Sequence, residues 1–260
     1  MATRTSHAPG TFSWVDLQTS DPAAAKDFYA ALFGWDFDEA PMGPDAVYAR
    51  ALVGGEDTGA IAPMPPGAQF PPHWNSYVTV ESADATAERA RELGGNLPME
   101  PFDVFEAGRM AVIADPTGAV LCAWEPRDHP GAHRVNDPGC FTWNELGTND
   151  PDTAAKFYGD LFGWTFEELD MGGGATYKTI RNGDRMNGGI RAQTEAEAGV
   201  PPNWLVYFTT EDIDGSIAAA TEHGGAVIAP VMTLPMGSRI AVLADPQGAA
   251  FALFEGEVDD

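Results

Sequence analysis

The chain has 260 residues, of which 44% are hydrophobic and 20% charged, a balance typical of a globular protein with one large or two medium domains. Its 14 Lys+Arg against 39 Asp+Glu give a net charge of −25. This charge disfavours nucleic acids and anionic membrane surfaces, because both need cationic side chains. It is compatible either with a cationic ligand or with simple solubility.

The elements predicted for the first quarter of the chain begin with a strand from Phe12 to Gln18. Asp21-Pro22 then supplies an N-cap and a first-turn proline for a helix with an apolar stripe, which Gly34 ends. Extended segments are predicted at 47–53 and 59–64.

The same order then starts again. A strand is predicted at 75–80 and a helix at 83–93, which Gly94-Gly95 ends. Strands at 109–115 and 119–125 follow, joined by an Asp-Pro-Thr-Gly turn. The first half of the chain is therefore predicted to contain two βαβββ modules.

The second half repeats the first. The segment 14–35 aligns without gaps with 143–164, and 12 of the 22 residue pairs are identical. Later landmarks recur at a spacing of 130 residues, among them Arg109 and Arg239. We predict an α+β fold of four βαβββ modules in two tandem domains, 10–126 and 139–256, joined by a polar, proline-rich linker at 127–138.

Membrane and secretion features are not expected. No stretch approaches the roughly 18–20 apolar residues of a membrane span, and residues 1–10 lack the apolar run of a signal peptide. The two cysteines, Cys122 and Cys140, show no metal-binding spacing. We expect a cytoplasmic protein, monomeric or homodimeric, that has a small-molecule ligand and binds neither nucleic acid nor membrane.

The motif D-P-x-x-A-x-x-F-Y-x-x-L-F-G-W, the mid-domain Gly-Gly and the D-P-x-G turn occur in both halves. With them the chain resembles the vicinal oxygen chelate superfamily of glyoxalases, bleomycin-resistance proteins and dioxygenases. Within it, the chain is similar to a two-domain hydroxylase/glyoxalase-like subgroup that includes a mycobacterial antigen. The resemblance implies that each pair of modules forms a curled mixed sheet around a cleft.

The resemblance also implies where a metal would bind. Metal enzymes of the superfamily take His or Glu ligands from the first and last strands of each module. In this chain those positions fall on Trp14, about Ala62, about Asn75 and Cys122, and on Trp143, about Arg191, about Leu205 and Ala252. Of these only Cys122 is a metal-binding type. We therefore expect no metal and no cofactor.

Two carboxylates are the candidate chemical groups. Strand alternation puts Asp16 on the face of Trp14, and Glu145 on the face of Trp143. A carboxylate among aromatic rings is a candidate acid or base, or a ligand contact. The alternative is a structural ion pair, Asp16 with Arg109 and Glu145 with Arg239.

Aromatic side chains with a few polar groups are typical of small-molecule pockets. The candidate ligand-binding residues are Trp14, Asp16, Tyr48, Trp74, Tyr77, Arg109, Trp124, Trp143, Glu145, Tyr177, Trp204, Tyr207 and Arg239. His73 is interpreted as an ordinary loop residue, since its counterpart is Asn203.

Three functions remain open. The first is a metal-independent protein that binds a small organic molecule in aromatic-lined clefts. The second is an enzyme of the superfamily, a lyase, isomerase or hydroxylase/dioxygenase-type oxidoreductase, with Asp16 or Glu145 as acid or base. The third is a scaffold with a vestigial cleft.

Overall fold

A computed structural model describes residues 3–43, 46–235 and 237–258. The first half contains eight strands and two helices: β1 Phe12–Thr19, α1 Pro22–Phe33, β2 Asp36–Pro41, β3 Val47–Val53, β4 Glu56–Pro63, β5 His73–Thr79, α2 Ala83–Glu92, β6 Asn96–Val104, β7 Gly108–Ala114 and β8 Val120–Pro126. The order strand, helix, three strands therefore occurs twice in this half.

The second half has the same order of elements. They are β9 Phe141–Thr148, α3 Pro151–Phe162, β10 Thr165–Gly172, β11 Ala175–Asn182, β12 Arg185–Ala192, β13 Asn203–Thr209, α4 Ile213–Glu222, β14 Ala226–Thr233, β15 Arg239–Ala244 and β16 Ala250–Glu255. The predicted four βαβββ modules and the α+β class are confirmed. No helix in the described part of the chain is long and apolar enough to cross a membrane.

Each half forms one mixed sheet of eight strands. The strand orders are β2-β3-β4-β1-β5-β8-β7-β6 and β10-β11-β12-β9-β13-β16-β15-β14. In the first sheet, β1 and β5 pair antiparallel at the centre, and each pairs in parallel with the last strand of its own module. The first strands of the two modules therefore lie side by side, and the side chains of one strand can reach those of the other.

The helix that follows β1 begins and ends as its sequence predicts. The Asp21 side chain accepts the Ala24 N–H, Pro22 occupies the first turn, and Gly34 adopts φ 69° at the C-terminus. Asp150 and Gly163 cap α3 in the same way. These caps fix the point at which each helix crosses its sheet.

The helices cover one face of each sheet. Val15 and Leu17 of β1 are fully buried in a core with Phe28 and Tyr29 of α1. Because side chains alternate along a strand, Asp16 points to the opposite face. We call that opposite side the helix-free face.

The two halves are interlocked by reciprocal contacts. Trp35 Nε1 donates to the Gly139 carbonyl at 2.7 Å, and its counterpart Trp164 donates to the Gly10 carbonyl at 2.7 Å. The Tyr29 hydroxyl also reaches Asp245 of the other half at 3.3 Å. Two hydrophobic clusters therefore each contain buried residues of both repeats.

Candidate functional site

Asp16 lies at the centre of the first helix-free face, and its side chain is buried at 4% exposure. Its carboxylate accepts three hydrogen bonds: from Tyr77 Oη at 2.8 Å, from Tyr48 Oη at 3.1 Å and from Asn75 Nδ2 at 2.9 Å. The donors come from β3 and β5, on either side of β1. All three donors are electrically neutral.

Trp14 orients one of these donors. Its indole N–H donates to Tyr48 Oη at 2.8 Å, so the hydroxyl proton of Tyr48 is free to point at Asp16. A buried indole N–H needs a partner. The Trp14–Tyr48 pair therefore supports the carboxylate from the side away from β5.

Burial raises the pKa of the Asp16 carboxyl, and the bonds from Asn75, Tyr77 and Tyr48 oppose that rise without cancelling it. Burial, followed by the charge of Asp16, raises the pKa of both tyrosines well above the usual range. The tyrosines therefore remain neutral donors, and Asp16 is the carboxyl group of this cluster, with a pKa above its usual value.

His73 extends the cluster outward from Asn75. Its Nε2 lies 3.1 Å from Asn75 Oδ1, and its Nδ1 lies 2.9 Å from the Pro71 carbonyl. The side chain is only partly buried, so the chain His73–Asn75–Asp16 connects the buried acid to the surface. The interpretation of His73 as an ordinary loop residue missed this, because its counterpart Asn203 suggested no paired role.

Glu145 occupies the equivalent place in the second half, at 7% exposure. The hydroxyls of Tyr177 and Tyr207 interact with it, and Trp143 Nε1 donates to Tyr177 Oη at 2.9 Å. The tyrosine and tryptophan frame of the first site is therefore repeated.

The partner of the second acid is different. Arg191 Nε donates to Glu145 at 2.7 Å, and its two terminal nitrogens bind both carboxylate oxygens of Glu197 at 2.7 and 2.8 Å. The bonds from Arg191 lower the pKa of Glu197 to about 2. Glu145 is thus neutralised by a guanidinium, whereas Asp16 has only neutral donors.

The linker covers the first face but has no described counterpart over the second. The ring of His129 packs edge-on against Trp14 at 4.4 Å, and Trp124 Nε1 donates to the His129 carbonyl at 2.9 Å. Trp14 is consequently 3% exposed, whereas Trp143 is only partly buried. Sequence patterns alone gave no reason to place linker residues at this site.

Four of the residues predicted to contact a ligand lie on the helix side of their sheets instead: Trp74, Trp204, Arg109 and Arg239. Trp74 and Trp204 donate from Nε1 to the hydroxyls of Tyr29 and Tyr158 at 3.0 and 3.1 Å. Alternation places Trp74 three residues from Tyr77, and hence on the other face of β5. Both tryptophans belong to the core between sheet and helix.

Arg109 and Arg239 are not partners of the two buried acids. Arg109 binds both oxygens of Asp84 in the first turn of α2, at 2.7 and 2.8 Å. Arg239 makes the matching bond to Asp214 of α4 at 2.8 Å. The alternative of structural ion pairs from these arginines to Asp16 and Glu145 is therefore wrong, because both arginines pair with carboxylates in the first turns of α2 and α4.

The sequence matches the Glyoxalase/Bleomycin resistance protein/Dioxygenase superfamily over residues 11–123 and 129–253. The chain belongs to this superfamily. It is 43% identical over 98% of both chains to "Putative glyoxylase CFP32" of Mycobacterium bovis. It is 35% identical to "Anthracycline biosynthesis protein DauV" of Streptomyces sp. strain C5, over 96% of this chain and 95% of that protein.

Solved structures of the superfamily share the fold of both halves. The Mn(II)-bound glyoxalase of Novosphingobium aromaticivorans aligns over 96% of this chain and 84% of its own, with a TM-score of 0.66 and 18% identity. The 2,2',3-trihydroxybiphenyl 1,2-dioxygenase of Sphingomonas wittichii aligns over 96% and 92%, with a TM-score of 0.67 and 13% identity. At these identities the likeness establishes the fold alone.

The superfamily implies a metal, but the side chains at the corresponding positions do not fit one. The indole N–H of Trp14 is bonded to Tyr48, and burial raises the pKa of the Cys122 thiol, which disfavours the thiolate that a metal requires. Across residues 3–43, 46–235 and 237–258, no group of three or more His, Cys, Asp or Glu side chains is placed to hold a metal ion.

Proposed function

We propose that the chain binds a small organic molecule on the helix-free face of its first half, at Asp16, without a metal. The observation that carries this proposal is a buried carboxylate whose described partners are all neutral. Such a group is unfavourable in isolation, and a ligand that brings a cation or a hydrogen-bond donor compensates it.

The surroundings of Asp16 favour an aromatic ligand. The same face carries Trp14, Tyr77 and Trp124, which are at most 7% exposed beneath His129, so a ligand at Asp16 would displace this linker contact. The strand register extends the face to Met99, which is 52% exposed. Apolar walls with a few fixed polar groups are typical of small-molecule sites. Relatives named as anthracycline biosynthesis proteins support a fused-ring aromatic compound as the ligand class.

Binding is tested by calorimetric titration with fused-ring aromatic compounds, with and without a protonated amine. Asp16→Asn should weaken binding of the amine-bearing compounds by about 10- to 100-fold, which corresponds to ~1.5–3 kcal/mol for a hydrogen bond to a charged group. Asp84→Asn, which changes a carboxylate on the helix side, is the matched control. Equal affinities for wild type and Asp16→Asn, with both proteins folded, would refute the proposal.

Proton transfer by Asp16 is the second candidate function. The raised pKa of this carboxyl brings it closer to neutrality, where a general acid or base is most effective. In a lyase or isomerase of this kind, Asp16 would take a proton from a carbon of the bound ligand. Exchange of that proton for deuterium, followed by NMR, should occur with the wild type and stop with Asp16→Asn.

The equivalent acid in the second half is less suited to either role. Arg191 already neutralises Glu145 and is itself held by Glu197. A cationic ligand would have to displace this arginine before it could reach Glu145. We therefore assign binding to the first half, and Glu145→Gln should leave the affinity unchanged.

A further inference from the structure

We propose that His73 is a positioning residue, which holds Asn75 so that its amide nitrogen faces Asp16 and thereby favours the ionised carboxylate. The inference rests on the proposed function of Asp16 as the acceptor group of the site. His73 lies outside the aromatic side chains of the site, and we infer that it influences whether the Asp16 carboxyl is ionised. Among the described residues, this link from a histidine through an amide to the buried acid is present in the first half only.

The hydrogen-bond directions carry the argument. Asn75 Nδ2 donates to Asp16 at 2.9 Å, so Asn75 Oδ1 points the other way, and it lies 3.1 Å from His73 Nε2. An amide oxygen only accepts, so His73 Nε2 must carry a proton. A rotated Asn75 would put oxygen against carboxylate and nitrogen against the His73 donor, which loses both bonds.

The second ring nitrogen of His73 also faces an acceptor. Its Nδ1 lies 2.9 Å from the Pro71 carbonyl, which can only accept. A neutral imidazole has one N–H, whereas the imidazolium has two. Both bonds form together only in the imidazolium, which adds a positive charge one amide away from Asp16.

The groups that face Asp16 are few. They are Tyr48 of β3, Asn75, Tyr77 and His73 of β5, and Cys122 of β8. The tyrosines and Cys122 stay protonated because burial raises their pKa values. His73 is therefore the one basic side chain among these described neighbours, and a positive charge on it favours the ionised form of Asp16.

In the second half, the buried acid Glu145 has different polar partners from those of Asp16. At the positions of His73 and Asn75 it has Asn203 and Leu205, so these two positions cannot form an amide-linked relay to Glu145, which Tyr207 of the same strand contacts directly. Arg191 contacts Glu145 directly instead. Asp16 is thus reached from His73 through a neutral amide, whereas Glu145 is contacted directly by a guanidinium.

The protonation of Asp16 can be followed in the ligand-free protein by carbon NMR of labelled aspartate carboxyls, with Asp16→Asn identifying the resonance. His73→Phe should move the titration midpoint of Asp16 upward by about one pH unit, at the lower end for loss of an opposite charge. His73→Gln keeps a donor without the charge and should move it by less. Asn203→Ala, at the matching position of the second half, should leave it in place.

A double-mutant cycle tests whether the effect passes through Asn75. Asn75→Leu introduces the side-chain type of the second half and should itself raise the midpoint, and adding His73→Phe to it should shift the midpoint little further. Equal shifts from His73→Phe in both backgrounds, or no shift in either, would overturn the proposal. Because no ligand is present, these outcomes are independent of whether the protein binds one, so failure of this inference is distinguishable from failure of the proposed function.

Discussion

His129 provides a quantitative test of how the linker is held over the first site. Its ring packs against Trp14 at 4.4 Å and Trp124 at 6.0 Å, and no described residue bonds its buried Nε2. Burial lowers the pKa of this imidazole from 6.5 to about 4. Protonation is therefore easier in the unfolded chain than in the folded protein.

The sign and size of the effect follow from this difference. The unfolded state takes up the proton as the pH falls through 6.5, and the folded state does so only near 4. The stability contributed by a neutral His129 is thus complete above pH 6.5 and is lost between those two values. At pH 4.5 the loss is about 2.5 kcal/mol, from 1.36 kcal/mol for each pH unit.

The assay is urea unfolding of wild type and His129→Phe at pH 8 and at pH 4.5. Phenylalanine keeps an aromatic ring between the tryptophans and removes the titration, so the two proteins should differ little at pH 8. At pH 4.5 the variant should have gained about 2.5 kcal/mol relative to wild type. Carboxylates that titrate in the same range cancel in this comparison. A stability difference that is the same at both pH values would refute the assigned burial of His129.

Three further predictions concern the second half and the buried thiol. Arg191→Leu should lower the free energy of unfolding by about 3–5 kcal/mol at neutral pH, measured in urea, because it leaves Glu145 buried without its cation. Gly189→Ala should lower the thermal midpoint, because a Cβ there would lie 1.9 Å from the hydroxyl of Tyr177; an unchanged midpoint would show that the tyrosine moves freely. Cys122 should resist a thiol reagent at pH 8 until the protein is unfolded, since burial raises its pKa.

The fold could be predicted from local patterns where those patterns are strong. The cap residues Asp21 and Gly34 and the mostly buried strand β1 depend on interactions within a few residues, and the same pattern recurs in the second half. Strands β2 and β6 were not located, because DFDEAP and NLPMEPFDV are mostly exposed and carry prolines instead of an alternating pattern. Edge strands are held by their neighbours more than by their own side chains.

The site was predictable only in part. Alternation places Asp16 beside Trp14 from sequence alone, but the convergence of Tyr48, Asn75 and Tyr77 depends on strand order and register. The placement of Trp74 on this face was avoidable, since residues three apart on one strand cannot share a face.

The reciprocal contacts of Trp35 and Trp164 have a consequence for the ancestry of the two sites. Each repeat contacts the other through the equivalent surface. This is the arrangement found in an isologous dimer. In a dimer of one repeat, every substitution at the acid would appear in both subunits. Fusion into one chain removes that constraint, so one copy can acquire an arginine at its acid while the other keeps a carboxylate bound by neutral donors.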